Sequence, residues 1–123
     1  MNRDTIEFRE QLKQRTKAFA LRVIRLYQSL PANTESQIIG KQLLRSSTSV
    51  AANYRAACRS RSNAEFYSKI SIVIEEADKS LFWLEMLTEA GIVKAELLVE
   101  LRRENEEIIK IMVIARKHSE KPK

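Results

Sequence analysis

Apolar residues recur along the chain at steps of three and four, and this spacing predicts four amphipathic helices. The first is predicted to cover about 25 residues, with an apolar stripe of Phe8, Leu12, Thr16, Phe19, Val23, Leu26 and Leu30. The third carries Phe66, Ile70, Val73, Ile74, Ala77, Leu81 and Leu84. The fourth, from about Lys94, aligns Leu97, Leu101, Ile108, Met112 and Ala115. The second keeps an apolar face of Ile39, Leu43, Val50, Asn53, Tyr54 and Ala57.

Helix boundary signals separate these segments. Pro31 ends the first helix, because proline disfavours a helical residue before it and lacks a backbone donor. We predict that the second helix begins after Thr34 or Ser36 as N-cap and runs to about Arg59. The run Ser62–Glu65 has the spacing of a capping box and opens the third helix.

Gly91 is predicted to close the third helix in a left-handed conformation. Connections this short force neighbouring helices to run antiparallel. The predicted fold is all-α, an up-down-up-down four-helix bundle forming one domain over residues 1–123, with a frayed tail from about residue 117.

The amino-acid composition supports this fold and limits the cellular compartments in which we expect the protein. The chain has two glycines and two prolines, fewer than a sheet protein with many tight turns would need. No apolar run reaches the roughly 18–20 residues of a membrane span, and the N-terminus lacks the apolar stretch of a signal peptide. Cys58, the single cysteine, has no internal disulfide partner. We therefore expect a cytoplasmic protein with no membrane association.

The net charge of +6 is unevenly distributed. Residues 1–30 and 31–62 each carry +4, residues 63–93 carry −4 and residues 94–123 carry +2. A basic half of this kind attracts polyanions, of which nucleic acid is the commonest. The alternative is a solvated surface that keeps the protein in solution.

Enzyme chemistry finds little support in the sequence. The single histidine, His118, cannot build a di-iron site, and Gly40 and Gly91 stand alone rather than in a phosphate-binding loop. Cys58 sits among alanines and is interpreted as a packing residue. We predict a protein that is not an enzyme and uses no cofactor or metal.

One acidic cluster offers an alternative function. Glu75, Glu76 and Asp78 could hold Mg²⁺ as in all-α nucleotide pyrophosphohydrolases, if a facing helix supplied a second acidic set. The candidates for that second set are Glu96, Glu100, Glu104 and Glu107. Their spacing is typical of a solvated face, and salt bridges to the basic helices are the favoured interpretation.

The second helix presents a basic ridge. At 100° per residue, one face collects Lys41, Arg45, Thr48, Ala52, Arg55 and Arg59. Arginine suits bidentate phosphate contacts, and the short side chains between the arginines would let a nucleic-acid backbone approach. A second candidate strip lies on the first helix, at Arg15, Arg22 and Arg25. Alternatively, the small residues permit close helix packing and the arginines neutralise acids on the third helix.

Apolar residues also lie off the main stripe of the third helix, and we interpret them as a homo-oligomeric contact. They are Ile72, Phe82, Trp83 and Met86.

Three runs carry a family resemblance: QLLRSSTSVAANYRAA from Gln42, RSNAEF from Arg61 and IEEADKSLFWLE from Ile74. They resemble the bacterial four-helix bundle family encoded in intervening sequences of 23S ribosomal RNA genes. The resemblance implies antiparallel bundles that assemble as homopentamers with a basic surface, mostly without an established activity. The accessory variability protein of diversity-generating retroelements, a relative, binds nucleic acid and a reverse transcriptase. The positions matching the family motif are Gln42, Arg45, Ser49 and Asn53.

The function hypothesis is a non-enzymatic homo-oligomeric bundle that binds RNA or DNA non-specifically, as an accessory to a larger nucleoprotein. Its implied partners are further copies of the chain, nucleic acid and a protein such as a reverse transcriptase. The alternatives are a protein-interaction scaffold without a nucleic-acid role and a carboxylate Mg²⁺-dependent nucleotide hydrolase. For Ser49 and Asn53, the structural alternative is buried hydrogen bonding across helices.

Overall fold

The computed structural model describes residues 2–119, which form an antiparallel four-helix bundle. Its helices are α1 (Arg3–Ser29), α2 (Thr34–Ala57), α3 (Asn63–Glu89) and α4 (Ala95–His118). No strand occurs within residues 2–119. The predicted all-α bundle is therefore confirmed, and each helix packs on its neighbours in sequence.

The N-cap of α2 lies one residue before Thr34 and three residues before Ser36, the two predicted caps. Asn33 is the N-cap, because its side-chain oxygen accepts the amide proton of Ser36 at 2.9 Å. Ser36 is instead buried inside the helix. The predicted end at Arg59 is also corrected: α2 ends at Ala57, and the amides of Cys58 and Arg59 close a turn on Tyr54 and Ala56.

The boundaries of α3 and α4 follow the predicted signals. The Ser62 hydroxyl accepts the amide proton of Glu65 at 3.1 Å, which confirms the predicted cap. Gly91 has φ +72°, the predicted left-handed conformation. The fraying expected from residue 117 is not seen through His118, where α4 remains helical. The rest of the expected tail, residues 120–123, lies outside the described residues.

The core confirms most of the predicted stripes, with one change of phase in α4. Leu97, a predicted core residue, is 71% exposed, whereas Leu98 is buried. Leu98 falls in line with the buried residues of α4 because the steps from it are three and four, through Leu101, Asn105, Ile108 and Met112. Phe8 is 49% exposed and marks the outer end of the α1 stripe.

Polar side chains form a buried layer near the middle of the bundle. Thr16, Ser47, Ser80 and Asn105 are fully buried at the midpoints of the four helices. The Ser80 hydroxyl donates to the Ser46 hydroxyl at 2.8 Å, which joins α3 to α2. The small residues of α2 therefore allow α3 to pack closely against it, as one interpretation of this stretch predicted.

Candidate nucleic-acid interface

The predicted ridge of α2 lies on the bundle surface. Lys41, Arg45, Arg55 and Arg59 are all exposed, and Ala52 is exposed between them. These positions share one face because they repeat at steps of three and four, opposite the buried face that holds Leu43 and Val50 on the core. Lys41, Arg45 and Arg55 are thus presented to solvent from one side of α2, and Arg59 follows in the turn that closes the helix.

The ridge cations have no carboxylate partner in the described part of the chain. The ion pairs within residues 2–119 join other residues, and none includes Lys41, Arg45, Arg55 or Arg59. Glu75 and Glu76 of α3 both lie within 4 Å of the Lys79 ammonium. Glu75 and Glu76 are thus paired within their own helix, and no ion pair within residues 2–119 supports the interpretation that the α2 arginines neutralise acids of α3.

The ridge divides between two grooves. Arg45 lies on the α3 side, in a shallow depression of about 150 Å³ with Gln42, Glu76, Lys79 and Trp83. Arg55 and Arg59 lie on the α1 side, in a larger groove of about 480 Å³. We call this second depression the α1/α2 groove; its lining residues are Glu10, Lys13, Gln14, Lys17, Ala20, Leu21, Thr48, Ala51, Ala52, Arg55 and Arg59.

The α1/α2 groove gathers cations from two helices. Lys13 and Lys17 on α1 join Arg55 and Arg59 on α2, while alanine, leucine and threonine side chains line the surface between them. Lys13 lies 2.8 Å from Glu10, and its hydrogen bond and charge lower the pKa of that carboxyl. The other three cations have no ion-pair partner within residues 2–119.

Sequence reasoning missed Lys13 and Lys17. Their spacing of four residues placed them on one flank of α1, which was visible in the sequence. The sequence does not show that this flank borders α2. Helical periodicity gives the angular position of a residue on its own helix, but not which other helix packs against it.

The second predicted strip divides differently. The Arg15 guanidinium donates two hydrogen bonds of 2.8 Å to the Glu104 carboxylate of α4, which raises the pKa of Arg15. Arg22 lies in the same depression among Glu100, Glu104 and Glu107, and Arg25 is exposed elsewhere on α1. We therefore leave Arg15 out of the candidate interface, because Glu104 compensates its charge, and we leave Arg22 out because it lies in this acidic depression and not in the α1/α2 groove.

The family-motif residues of α2 form local contacts. The Asn53 amide donates to the Ser49 hydroxyl at 2.8 Å and to the Ser49 carbonyl at 2.9 Å. Both side chains are half-buried and the bonds lie within α2, so the predicted hydrogen bonding across helices does not occur between them. In this part of α2 it is Ser46 that bonds to another helix, through Ser80 of α3. Gln42 is exposed beside Arg45.

The predicted oligomer contact is partly available on α3. Phe82 is 51% exposed, and Ile72, nearly three turns earlier on the same helix, is 41% exposed. The Phe82 ring meets Trp83 edge-on, with 4.9 Å between ring centroids. Trp83 and Met86 are half-buried and pack against the core, so they offer less free surface than the sequence suggested.

Residues 2–119 contain neither a cluster of metal-binding side chains nor a membrane-spanning helix. Within residues 2–119, no three His, Cys, Asp or Glu side chains gather closely enough to hold a metal ion. No helix among these residues is long and apolar enough to span a membrane.

These features define a class: an all-α antiparallel four-helix bundle with an uncompensated basic groove between its first two helices. The chain belongs to the 23S rRNA-intervening sequence protein family, whose model matches residues 10–113. It is also similar to a crystal structure of a protein of unknown function from the S23 ribosomal protein family of Bacteroides thetaiotaomicron VPI-5482. That similarity has a TM-score of 0.82 and 31% identity, and covers 89% of this chain and 97% of that one. The comparison with curated proteins gave no match.

Proposed function

We propose that the protein is a non-enzymatic, homo-oligomeric bundle that binds RNA or DNA through phosphate contacts in the α1/α2 groove and along the α2 ridge. The observation that carries the proposal is the meeting of Lys17, Arg55 and Arg59, three cations without ion-pair partners within residues 2–119, over short side chains. A phosphate backbone supplies the missing negative charge. Arginine forks bind it bidentately, and the short side chains leave room for it.

The contacts expected in this groove do not read base sequence. Phosphate contacts set affinity and salt dependence, whereas sequence is read through base edges. We therefore expect binding to many sequences, with an affinity that falls steeply as salt rises. Assembly of several subunits would multiply a weak single groove into a stronger combined site.

The test is a titration of fluorescently labelled RNA and DNA, followed by anisotropy at several salt concentrations. The Arg55→Glu/Arg59→Glu variant should bind at least tenfold more weakly, and its log K should depend less steeply on log salt by about one for each lost contact. A matched control, Lys94→Glu/Lys110→Glu, changes net charge equally at exposed positions of the α4 side. Equal losses in both variants, or no binding by the wild type at low salt, would refute the proposal.

A second candidate function is a protein scaffold, which the exposed Phe82 and Ile72 favour. Light scattering with and without a short RNA separates the two. In the scaffold case Arg45→Glu breaks assembly, whereas in the nucleic-acid case it spares assembly and weakens RNA binding. Phe82→Glu should lower the oligomeric state in both cases, and Leu97→Glu, at an exposed position of α4, serves as its control.

A further inference from the structure

A second cleft, which the proposed function does not use, lies at one end of the bundle. The N-termini of α1 and α3 meet the C-termini of α2 and α4 there. The cleft has a volume of about 440 Å³, within the range of roughly 300–1,000 Å³ that small-molecule sites occupy. We call it the end cleft.

The side chains of the end cleft combine aromatic rings with a cation. Phe8, Tyr54 and Phe66 line it from three different helices; the Phe8 ring is 49% exposed, whereas Tyr54 and Phe66 are buried. The Arg9 guanidinium lies over the Phe66 ring, 4.5 Å from its centroid, and has no carboxylate partner within residues 2–119. Rings and guanidinium planes are the surfaces on which unstacked nucleobases are held. Asp4 adds an acceptor for the amino groups on base edges.

The end cleft lies next to the α1/α2 groove, because consecutive residues of α1 and α2 line the two cavities. Arg9 lines the cleft and Glu10, the next residue, lines the groove. The same holds on α2, where Tyr54 lines the cleft and Arg55 the groove. A strand whose phosphates follow the groove therefore reaches the cleft within a short step of its backbone.

The two cavities have complementary chemistry. The groove offers cations and short aliphatic side chains but no aromatic ring, and the cleft offers rings. Proteins that bind single strands combine a basic path for the backbone with aromatic platforms for the bases. A duplex cannot use the second part, because its bases are stacked inside the helix.

We propose that the end cleft accepts an unstacked base of a single-stranded nucleic acid whose phosphates lie in the α1/α2 groove. This proposal rests on the proposed function and adds a substrate class to it, since it makes the protein a single-strand binder. Phe8 is the residue on which the proposal can be tested, because it is half exposed and its replacement leaves the buried core untouched.

The experiment compares a labelled 12-nucleotide RNA strand with a hairpin duplex of the same composition. Three proteins are titrated: wild type, Phe8→Leu, which removes the ring but keeps apolar bulk, and Phe8→Tyr, which keeps a ring. Circular dichroism melts establish that all three fold. We expect single-strand binding about tenfold tighter than hairpin binding, a loss of about tenfold in Phe8→Leu and its recovery in Phe8→Tyr.

A fluorescent base gives an independent readout. Single strands containing 2-aminopurine report a change in stacking through their fluorescence, and this change should occur in wild type and disappear in Phe8→Leu. Arg55→Glu/Arg59→Glu should weaken binding of strand and hairpin alike, because it acts on the phosphates.

The outcomes separate this proposal from the one on which it rests. Equal binding of strand and hairpin, unchanged by Phe8→Leu, overturns the end-cleft proposal and leaves phosphate binding in place. No binding of either RNA overturns both. Adenosine monophosphate perturbing the Tyr54 and Phe66 resonances in NMR, while Phe8→Leu leaves RNA affinity unchanged, also overturns it, since the cleft would then hold a free nucleotide.

Discussion

The Arg15 guanidinium and the Glu104 carboxylate form a bidentate pair, with Nε–Oε2 and Nη2–Oε1 distances of 2.8 Å. The pair joins α1 to α4, the two adjacent helices that approach each other least closely in the bundle. Both side chains are partly shielded from solvent. The ion pair therefore acts as a polar clamp between α1 and α4, where apolar packing is sparse. Because Arg15 is bonded to Glu104, we do not expect it to bind phosphate.

Breaking this clamp should destabilise the bundle measurably. We expect Glu104→Gln to lower the free energy of unfolding by about 1 kcal/mol, because a bidentate, partly shielded pair exceeds the usual worth of a surface ion pair. The effect should shrink in 1 M salt, which screens exposed charge. Urea denaturation at low and high salt measures both.

The matched control is Glu100→Gln, which breaks an exposed pair with Arg103 three residues along the same helix. Exposed pairs of this spacing contribute little, so this variant should unfold with the wild type. Equal destabilisation by both variants would contradict the role assigned to Arg15 and Glu104.

The helices of this bundle could be predicted from sequence to within a few residues, because their apolar stripes and caps are local signals. The pairing of Arg15 with Glu104 could not, because it depends on which flanks of α1 and α4 come together. The error at Leu97 and Leu98 has a similar origin. Two adjacent leucines fit the stripe almost equally well, and which of them is buried depends on how α4 is oriented against the other helices.

Gly40 of α2 lies so close to the side chains of Tyr27 and Leu30 that a methyl group at this position would clash with them. A Cβ added there would lie 2.6 Å from Leu30 Cδ1 and 2.9 Å from Tyr27 Cδ1. Alanine normally stabilises a helix interior by about 1 kcal/mol over glycine, whereas overpacking costs roughly 1–3 kcal/mol. We expect Gly40→Ala to destabilise the protein by about 1 kcal/mol in thermal or urea unfolding.

A double-mutant cycle tests the cause. In a Leu30→Ala background the nearest atom is gone while the 2.9 Å contact with Tyr27 remains, so Gly40→Ala should cost less than it does in the wild type. The idea fails if Gly40→Ala costs the same in both backgrounds, because the penalty would then not come from Leu30.

Tyr54 should make the protein sensitive to alkali. Burial raises the pKa of Tyr54 far above the ordinary value. A hydrogen bond and an electrostatic interaction, both with Cys58, make smaller contributions in the same direction. Above about pH 10 the unfolded chain loses this proton while the folded chain keeps it. The unfolded state then binds fewer protons, so stability falls as pH rises, by up to about 1.4 kcal/mol per pH unit.

The comparison is with Tyr54→Phe, which removes the ionisable group and keeps the ring. Urea unfolding between pH 9 and 11 should show a shallower loss of stability in this variant than in wild type. Tyr67→Phe, at an exposed tyrosine of α3, should keep the wild-type slope. Identical slopes in wild type and Tyr54→Phe would exclude Tyr54 as the cause.

The basic surface was predictable in part for the same reason as the helices. The α2 ridge lies on one helix, so its repeat reveals it, and Arg55 and Arg59 could be named from sequence. The α1/α2 groove is formed by two helices, so Lys13 and Lys17 can be recognised as part of it only once α1 is placed beside α2. Acidic neighbours matter equally, since Arg22 resembles the ridge arginines in sequence and lies among carboxylates in the fold.

Asn105 lies in the buried polar layer with only half of its amide satisfied. Its Nδ2 donates to the Ala77 carbonyl at 2.9 Å, while its Oδ1 is buried without a hydrogen-bond partner in the described chain. Replacement by aspartate loses the donor and introduces a charge that the core cannot solvate. We expect Asn105→Asp to cost about 3–5 kcal/mol at pH 7.

The cost should depend on pH in a defined direction. Burial would raise the folded-state pKa of an aspartate at position 105 above its unfolded value of about 3.9. Between these two values the folded state holds the proton and the unfolded state releases it, so stability falls as pH rises. Asn105→Asp should therefore unfold at a higher urea concentration at pH 4 than at pH 7, after subtraction of the wild-type change.

The control is Asn105→Leu, which removes both polar groups at similar volume. Its free energy of unfolding should stay within about 1 kcal/mol of wild type at either pH. An Asn105→Asp variant with wild-type stability at pH 7 would mean that water reaches this layer.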